Sequence, residues 1–119
     1  MTGEDRVSVY FNPSCSKCRV TRELLDEQGV DAEYYRYLDE SPSLAELQRV
    51  MSMLGIEDPR AMMRTGEPRY AELGLEAVEG EGLLEAMAAN PILIERPIVI
   101  RGDRAVIARP PDRLLELWD

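Results

Sequence analysis

Two cysteines, Cys15 and Cys18, are the residues of this sequence with the clearest capacity for chemistry. Ser16 and Lys17 separate them in a Cys-x-x-Cys arrangement, and the chain of 119 residues contains no histidine. Catalysis by Ser-His-Asp or Cys-His groups is therefore excluded, because both need an imidazole as the base. A structural zinc site needs four Cys or His ligands, and this chain has only its two cysteines. We predict thiol chemistry and no metal.

The elements around these cysteines are predicted to be a strand followed by a helix. The segment Val7 to Phe11 is rich in β-branched and aromatic residues, and Asn12-Pro13-Ser14 supplies turn and cap residues. A helix is predicted from about Ser16 to Gln28, ended by Gly29. Its apolar residues at helical spacing, which we expect to be buried, are Val20, Leu24 and Leu25.

A cysteine at a helix start meets unpaired backbone N–H groups and the positive end of the helix dipole. These lower a thiol pKa from about 8.5 into the range of roughly 3.5 to 7.5. Lys17 and Arg19 act in the same direction. Cys15 is thus predicted to be an exposed nucleophile. Cys18, one turn later, has two open interpretations: a resolving thiol that bonds to Cys15, or a small core residue facing the sheet.

The remaining pattern predicts one α/β domain over residues 1–119. A second strand is expected from Ala32 to Leu38, with Tyr34, Tyr35 and Tyr37 assigned to packing. A helix follows with two alternative starts, at Ser41-Pro42 or at the capping box from Ser43 to Glu46, and it ends before Gly55. Further helices are expected from Asp58 and from Leu83 to Ala89. A hairpin joins Pro97–Ile100 to Ala105–Ala108, and a last helix, Asp112–Trp118, would dock through Leu114, Leu115 and Trp118. This order is that of a thioredoxin-like mixed sheet: βαβ, then a β-hairpin and C-terminal helix, with a helical insertion at about residues 41–90.

The charge of the chain argues against some partners. It has 23 acidic and 14 basic residues, for a formal net charge of −9. Nucleic acid is an unfavourable ligand for such a chain, because duplex binding needs clustered basic residues. No apolar run reaches the roughly 18 to 20 residues that span a bilayer, and no leader pattern is present. We therefore expect no membrane association and a cytoplasmic location, where a cysteine pair is more often catalytic than structural.

Four segments of the chain form a pattern beyond that of the cysteines alone. They are Tyr10-Phe11-Asn12-Pro13-Ser14-Cys15, Arg60-Ala61-Met62-Met63-Arg64, Tyr70-Ala71-Glu72-Leu73-Gly74-Leu75 and Asn90-Pro91-Ile92-Leu93-Ile94-Glu95-Arg96-Pro97-Ile98-Val99. Together they resemble the arsenate reductase family, whose fold is thioredoxin-like. The resemblance covers nearly the whole chain, and its most specific parts are the Asn-Pro-x-Cys loop and the Asn-Pro-x-Leu-x-x-Arg-Pro-Ile block.

The resemblance implies roles for particular residues. Cys15 matches the family's nucleophile, and Arg64, Arg96 and Arg109 match three arginines that surround the oxyanion. Guanidinium groups suit this task because they pair tetrahedral oxyanions bidentately and stay charged. Taken singly, each arginine has the alternative of a solvated or ion-paired surface residue. Pro97 matches a proline that these folds place in cis opposite the cysteine.

The implied reaction is the reduction of arsenate to arsenite by attack of the Cys15 thiolate on arsenic. Backbone N–H groups of the loop from Asn12 to Cys15 would help to bind the oxyanion. The resemblance implies no bound cofactor, glutathione as co-substrate and glutaredoxin as the protein that regenerates Cys15.

Two residues depart from the family pattern. Phe11 stands where many of these reductases have a histidine that helps to lower the cysteine pKa, so the helix start and the basic residues must activate Cys15 here. Cys18 stands where the glutaredoxin-coupled members have serine or another residue. It suggests a Cys15–Cys18 disulfide reduced by thioredoxin as a competing course. It also resembles the Spx regulators, which gives the alternative function of a redox switch that binds RNA polymerase.

Overall fold

A computed structural model describes residues 6–118 of the chain and divides it into two compact units. The first unit contains the described residues up to Tyr37 and those from Arg96 onward, and the second contains Leu38–Glu95. In chain order, the second unit thus falls between the two parts of the first. That residues 1–119 act as a single domain stays a prediction.

The first unit is built on a four-stranded mixed sheet with the strand order β2-β1-β3-β4. Its strands are β1 (Val7–Tyr10), β2 (Ala32–Tyr35), β3 (Ile98–Arg101) and β4 (Arg104–Ile107). Strand β1 is parallel to β2, with Tyr10 opposite Tyr35, and antiparallel to β3, with Tyr10 opposite Ile98. The ends of β1 and β2 and the start of β3 therefore share one edge of the sheet.

Helix α1 (Ser16–Glu27) connects β1 to β2 and contributes to the core of the first unit. Gly29 follows with φ +70°, a left-handed conformation that suits glycine and ends the helix as predicted. The buried face differs by one residue from the prediction. Thr21 is fully buried with Cys18 and Leu25, three and four residues away on the same face of the helix, whereas Val20 lies off this face and is 42% exposed.

The hairpin β3–β4 turns at Gly102 and Asp103, as predicted, and Gly102 has φ +61°. A 3-10 helix, Pro111–Trp118, follows it in place of the predicted α-helix. Leu114 and Leu117 are its buried residues, whereas Leu115 and Trp118, both predicted to dock, are 44% and 39% exposed. The tighter 3-10 turn places residues three apart on one face, which selects Leu114 and Leu117.

Two arginines of the hairpin hold the end of this 3-10 helix. Arg101 and Arg104 both donate to the carbonyl oxygen of Leu117, at 2.8 and 3.3 Å, and Arg104 also donates to that of Glu116 at 2.9 Å. The Arg101 guanidinium lies over the Trp118 ring, 4.7 Å from its centroid. Cations at a helix C-terminus satisfy its unpaired carbonyls and oppose its dipole.

The second unit is helical throughout its regular elements. Ser43 begins its first helix with a capping box, in which the Ser43 hydroxyl accepts from the Glu46 N–H and the Glu46 carboxylate accepts from the Ser43 N–H. Gly55 ends that helix at φ +72°. The helices are α2 (Leu44–Leu54), α3 (Pro68–Glu72) and α4 (Glu81–Ala89), with 3-10 turns at Pro59–Met62, Leu75–Ala77 and Pro91–Leu93.

Arg60 connects the broken middle of the second unit. Its Nε donates to the Tyr70 hydroxyl at 2.9 Å, and its Nη2 donates to the carbonyl oxygens of Leu75, Glu76 and Val78. One side chain thus connects Tyr70 to three carbonyl oxygens, of which that of Leu75 also accepts from the Val78 N–H at 3.0 Å.

The predicted α/β arrangement, with its mixed sheet, hairpin and helices between the halves, is confirmed. Among residues 6–118, no helix is long and apolar enough to cross a membrane.

Candidate active site

The loop that leaves β1 is shaped by Asn12. The Asn12 side-chain oxygen accepts from the Ser14 N–H at 2.9 Å, and its carbonyl oxygen accepts from the Cys15 N–H at 2.9 Å. Such Asx turns are the reason asparagine favours this position. The N–H groups of Ser14 and Cys15, which we expected to face the oxyanion, are thus hydrogen-bonded to Asn12. Asn12 therefore acts here by fixing the loop.

Cys15 is the N-cap residue of α1, with extended backbone angles of φ −92° and ψ 123°. Its carbonyl oxygen accepts from the Arg19 N–H at 3.1 Å, which begins the helix. The expectation that Cys15 is exposed is wrong: the residue is only 8% exposed and belongs to the core of the first unit.

The pKa of Cys15 is lowered below its ordinary value of 9.0. Burial alone would raise this pKa, but the backbone N–H of Cys18, the Arg96 guanidinium and the Cys18 thiol all hydrogen-bond to the Cys15 sulfur and outweigh the effect of burial. Within the described residues, no side chain forms a capping hydrogen bond at the start of α1. The thiolate is thus stabilised by the first turn of α1 and by one arginine, without a histidine.

Cys18 behaves in the opposite way. It is fully buried, and burial together with the neighbouring Cys15 charge raises its pKa to about 12. It therefore stays a thiol near neutral pH and donates its S–H to the Cys15 thiolate. Both cysteines are free in the structure. Cys18 is a core residue, as one interpretation held, and it is also a hydrogen-bond donor to the nucleophile.

Arg96 is the basic residue that the structure brings to Cys15. It is partly buried at the start of β3, and its guanidinium donates to the Cys15 sulfur. Burial would lower the pKa of Arg96, yet Cys15 and more weakly Tyr37 and Cys18 raise it. The next residue, Pro97, is buried and its peptide bond with Arg96 is cis, as expected.

Arg109 supports Arg96 from the end of the hairpin. Its Nη1 donates to the Arg96 carbonyl oxygen at 2.8 Å, and its own peptide bond with Pro110 is also cis. The guanidinium of Arg109 is partly buried. Two of the three predicted anion-binding arginines thus lie together in the first unit.

Arg64 belongs to the second unit. There its Nη1 lies 3.2 Å from the Glu67 carboxylate and 3.4 Å from the Ile92 carbonyl oxygen, and its N–H donates to the Leu93 carbonyl oxygen at 2.7 Å. The Arg64 side chain thus has an ion-pair partner within its own unit. Its assignment to the oxyanion stays a prediction.

Lys17 and Arg19, the other predicted supporting residues, are not among the groups of residues 6–118 that lower the pKa of Cys15. Lys17 and Arg19 are exposed on α1, and the activation of Cys15 expected from them stays a prediction. Phe11, which replaces the family histidine, is buried and packs edge-to-face on Tyr34, with Arg22 5.1 Å from its ring centroid. Phe11 therefore fills space beside the site.

Tyr37 is buried, as predicted, and its ring stacks on that of Tyr10. Its charge also acts on Arg96, an effect that sequence reasoning missed. The available signal was its position directly after the strand that runs parallel to β1. Among residues 6–118, no group of three or more acidic or cysteine side chains could hold a metal ion.

The sheet order, the cis proline before β3 and a cysteine at the start of the first helix define a thioredoxin-like protein. The conserved pattern of the ArsC family matches residues 10–117, and the chain belongs to that family. It is 43% identical to the arsenate reductase of Haemophilus influenzae, over 93% of this chain and 97% of that protein. It is 40% identical to the arsenate reductase of Neisseria meningitidis serogroup A, over 91% and 94% of the two chains.

Solved structures give the same fold. The arsenate reductase from Vibrio cholerae superposes with a TM-score of 0.90 at 45% identity, and the match covers 93% of this chain and 96% of that one. An arsenate reductase (ArsC) related protein from Brucella melitensis superposes with a TM-score of 0.69 at 19% identity, over 100% and 99% of the chains. The second likeness shows the fold alone. The predicted thioredoxin-like fold is confirmed.

Proposed function

We propose that this protein is an arsenate reductase, an oxidoreductase in which the Cys15 thiolate reduces arsenate to arsenite. The observation that carries the proposal is the hydrogen bond from Arg96 to the Cys15 sulfur, which joins an anion-binding group to a thiol of lowered pKa. The name arsenate reductase, borne by relatives at 40% and 43% identity, supports the choice of oxyanion.

Binding of arsenate would rest on guanidinium groups and on the helix start. Arg96 and Arg109 lie together in the first unit, and planar guanidinium groups pair with oxyanions through parallel hydrogen bonds. The first turn of α1 adds the positive end of a twelve-residue helix. The family resemblance adds Arg64 as a third ligand, and we propose it on that ground.

The reaction would proceed by thiol substitution at arsenic. The Cys15 sulfur forms a bond to arsenic as one arsenic–oxygen bond breaks, and the oxygen leaves as water after taking up protons. A second thiol then attacks the Cys15 sulfur, two electrons pass to arsenic, and arsenite leaves. In total, arsenate and two thiols give arsenite, one disulfide and water.

We propose glutathione as the second thiol and glutaredoxin as the protein that restores Cys15, in the cytoplasm. The protonated state of Cys18 supports an external thiol, because only a thiolate attacks sulfur readily and burial keeps the pKa of Cys18 at about 12. The alternative is attack by Cys18 to form an internal disulfide, which thioredoxin would reduce.

Replacing the nucleophile tests the proposal directly. Cys15→Ser should abolish arsenate-dependent NADPH consumption in an assay coupled through glutathione, glutaredoxin and glutathione reductase. Cys18→Ser in the same assay should retain activity if glutathione is the second thiol. Turnover by Cys15→Ser would contradict the assignment. In an assay coupled through thioredoxin and thioredoxin reductase, turnover by the parent that is lost in Cys18→Ser would identify Cys18 as the resolving thiol of the alternative course.

The arginines are tested by substitution with methionine, which keeps length and removes charge. Arg96→Met, Arg109→Met and Arg64→Met should each raise the KM for arsenate by about tenfold or more, the loss of one charged hydrogen bond. Arg69→Met is the matched control, since Arg69 is exposed and paired with Glu72 at 3.4 Å. An unchanged KM in Arg64→Met would remove Arg64 from the site.

A redox switch of the Spx kind is the second candidate, and the contact between the Cys18 thiol and the Cys15 sulfur favours it. Two such sulfurs can form a disulfide under oxidants. Tight binding to the RNA polymerase α subunit that depends on this disulfide, together with absent arsenate turnover, would establish it over the reductase.

A further inference from the structure

Glu67 forms an ion pair with Arg64, the arginine proposed above as the third ligand of the oxyanion. A carboxylate oxygen of Glu67 lies 3.2 Å from the Arg64 Nη1, and the side chains of Glu67 and Arg64 are 17% and 28% exposed. Glu67 is also the N-cap residue of α3, but its side chain makes no capping hydrogen bond within the described residues. The carboxylate thus pairs with Arg64 instead of capping the helix.

The backbone is fixed at both partners of this ion pair. The Arg64 N–H donates to the Leu93 carbonyl oxygen at 2.7 Å, and the preceding residue, Met63, forms an antiparallel bridge with Ile94. The Glu67 N–H donates to the Arg64 carbonyl oxygen at 3.1 Å. The ion pair therefore joins two side chains whose main chains are already held in place within the second unit.

The contacts of the Arg64 guanidinium use one of its nitrogens. Besides Glu67, the Ile92 carbonyl oxygen lies 3.4 Å from Nη1. Within residues 6–118, the Nε and Nη2 of Arg64 have no hydrogen-bond or ion-pair partner. A guanidinium has five N–H donors in a planar fork, and one edge of this fork can pair with an oxyanion through two parallel hydrogen bonds. Glu67 engages one end of the group, and the Nε–Nη2 edge keeps both of its donors.

We propose that Glu67 is a positioning residue, whose carboxylate holds Nη1 of Arg64 so that the Nε–Nη2 edge is presented to the oxyanion. An arginine side chain that is already held in one orientation loses less conformational freedom when it binds. This role rests on the proposed function, in which Arg64 is a third ligand of arsenate. The negative charge of Glu67 would by itself oppose an oxyanion, so the sign of the effect on binding distinguishes positioning from repulsion.

Glu67→Gln tests this role because it removes the charge and keeps the size of the side chain. Phenylglyoxal modifies arginines covalently, and peptide mass spectrometry gives the rate at Arg64 alone. Arsenate added before the reagent should slow this rate in the parent, because the bound oxyanion occupies the Nε–Nη2 edge. Half-maximal protection of Arg64 should need about threefold more arsenate in Glu67→Gln, the effect of losing one partly exposed ion pair.

Glu72→Gln is the matched control. Glu72 pairs with Arg69 at the same spacing of three residues, at 3.4 Å and with greater exposure, so its loss should leave the protection of Arg64 unchanged. Less arsenate needed in Glu67→Gln would mean that the carboxylate competes with the oxyanion for Arg64. An unchanged requirement would mean that Glu67 has no part in binding. Either result, or a parent in which arsenate does not protect Arg64, would overturn the proposal.

Turnover separates this role from the proposed function. In the coupled assay, Glu67→Gln should raise the KM for arsenate about threefold with little change in kcat, and it should raise KM no further in Arg64→Met, because the group through which Glu67 acts is gone. A further rise in that background would contradict positioning. Absent turnover by the parent would contradict the reductase, while protection of Arg64 by arsenate and its dependence on Glu67 would stand.

Discussion

At the scale of single residues, the pKa values of the two cysteines are shifted in opposite directions because their surroundings differ. Cys15 caps α1 and receives hydrogen bonds from Arg96 and Cys18, so its pKa falls. Cys18 is fully buried next to that negative charge, so its pKa rises to about 12. Separation of the two pKa values in this way supports the proposed roles of Cys15 as nucleophile and of Cys18 as hydrogen-bond donor.

The donor role of Cys18 predicts a difference between two small substitutions. Cys18→Ser keeps a hydroxyl donor and should alkylate at Cys15 at close to the parent rate at pH 7. Cys18→Ala lacks a donor and should alkylate about tenfold more slowly, since a hydrogen bond to a charged group contributes roughly 1.5 kcal/mol. Iodoacetamide kinetics with mass spectrometry measure both. Equal slowing in the two variants would mean that packing, rather than the S–H donor, is what Cys18 supplies.

Some residues of the site could be predicted from the sequence and others could not. Cys15 could be identified because a cysteine between a strand and a helix is a local pattern. The burial of Cys15 and the contact with Arg96 could not, since they depend on a residue 81 positions later that the sheet places beside the loop. The charge effect of Tyr37 on Arg96 was missed for the same reason, although its place after β2 was visible.

At the scale of elements, the second unit depends on side chains where regular structure is interrupted. Between Pro59–Met62 and α4, the chain makes only short helical turns, and Arg60 donates to Tyr70 and to three carbonyls there. The Arg60 guanidinium thus supplies long-range hydrogen bonds in a segment that has only short helical turns.

Arg60→Met should loosen this segment while leaving the flanking helices intact. Amide hydrogen exchange of residues 68–78 should become faster in the variant, because three carbonyls lose their donor. Arg69→Met is the control, as the Arg69 guanidinium makes an ion pair with Glu72 at 50% and 61% side-chain exposure. If both variants exchange alike, Arg60 is not the group that orders residues 68–78.

Element boundaries followed from sequence where local chemistry decides them. Ser43, Gly55 and the Gly102-Asp103 turn are visible caps and turns, and the structure has them as predicted. The C-terminal helix was placed correctly but with the wrong buried face. Its period is three rather than 3.6, and its packing against the sheet decides this.

At the scale of the whole molecule, the cysteine pair couples stability to pH in two directions. The pKa of Cys15 is lower in the folded state, so its contribution is present above the unfolded value of 9.0 and is lost as the pH falls through the folded value. The pKa of Cys18 is higher in the folded state, so its contribution is present below 9.0 and is lost as the pH rises toward about 12.

We expect the stability difference between parent and variant to show these two slopes. Relative to Cys15→Ser, the parent should gain stability as the pH rises to about 9; relative to Cys18→Ser, it should lose stability above 9. Urea denaturation in a reducing buffer from pH 6 to 10.5 measures both differences. A flat difference for Cys15→Ser would show that the native state does not favour its thiolate.

The net charge of −9 belongs to this scale as well. It disfavours anions at long range, so binding of an oxyanion must rest on groups within about a Debye length, roughly 8 Å at physiological salt. Arg96 and Arg109 are such groups in the first unit. The acidic excess therefore does not argue against the proposed anionic substrate, whose recognition would rest on nearby guanidinium groups.

The sequence by itself determined the order of strands and helices, the exclusion of histidine chemistry and the position of Cys15 at a helix start. These depend on periodicity, caps and residue type, which act between near neighbours in the chain. Only the tertiary structure decided that Cys15 is buried, that Cys18 and Arg96 donate to its sulfur and that Arg109 donates to the Arg96 carbonyl oxygen. Those facts depend on strand order, which pairs β1 with β2 on one side and with β3 on the other.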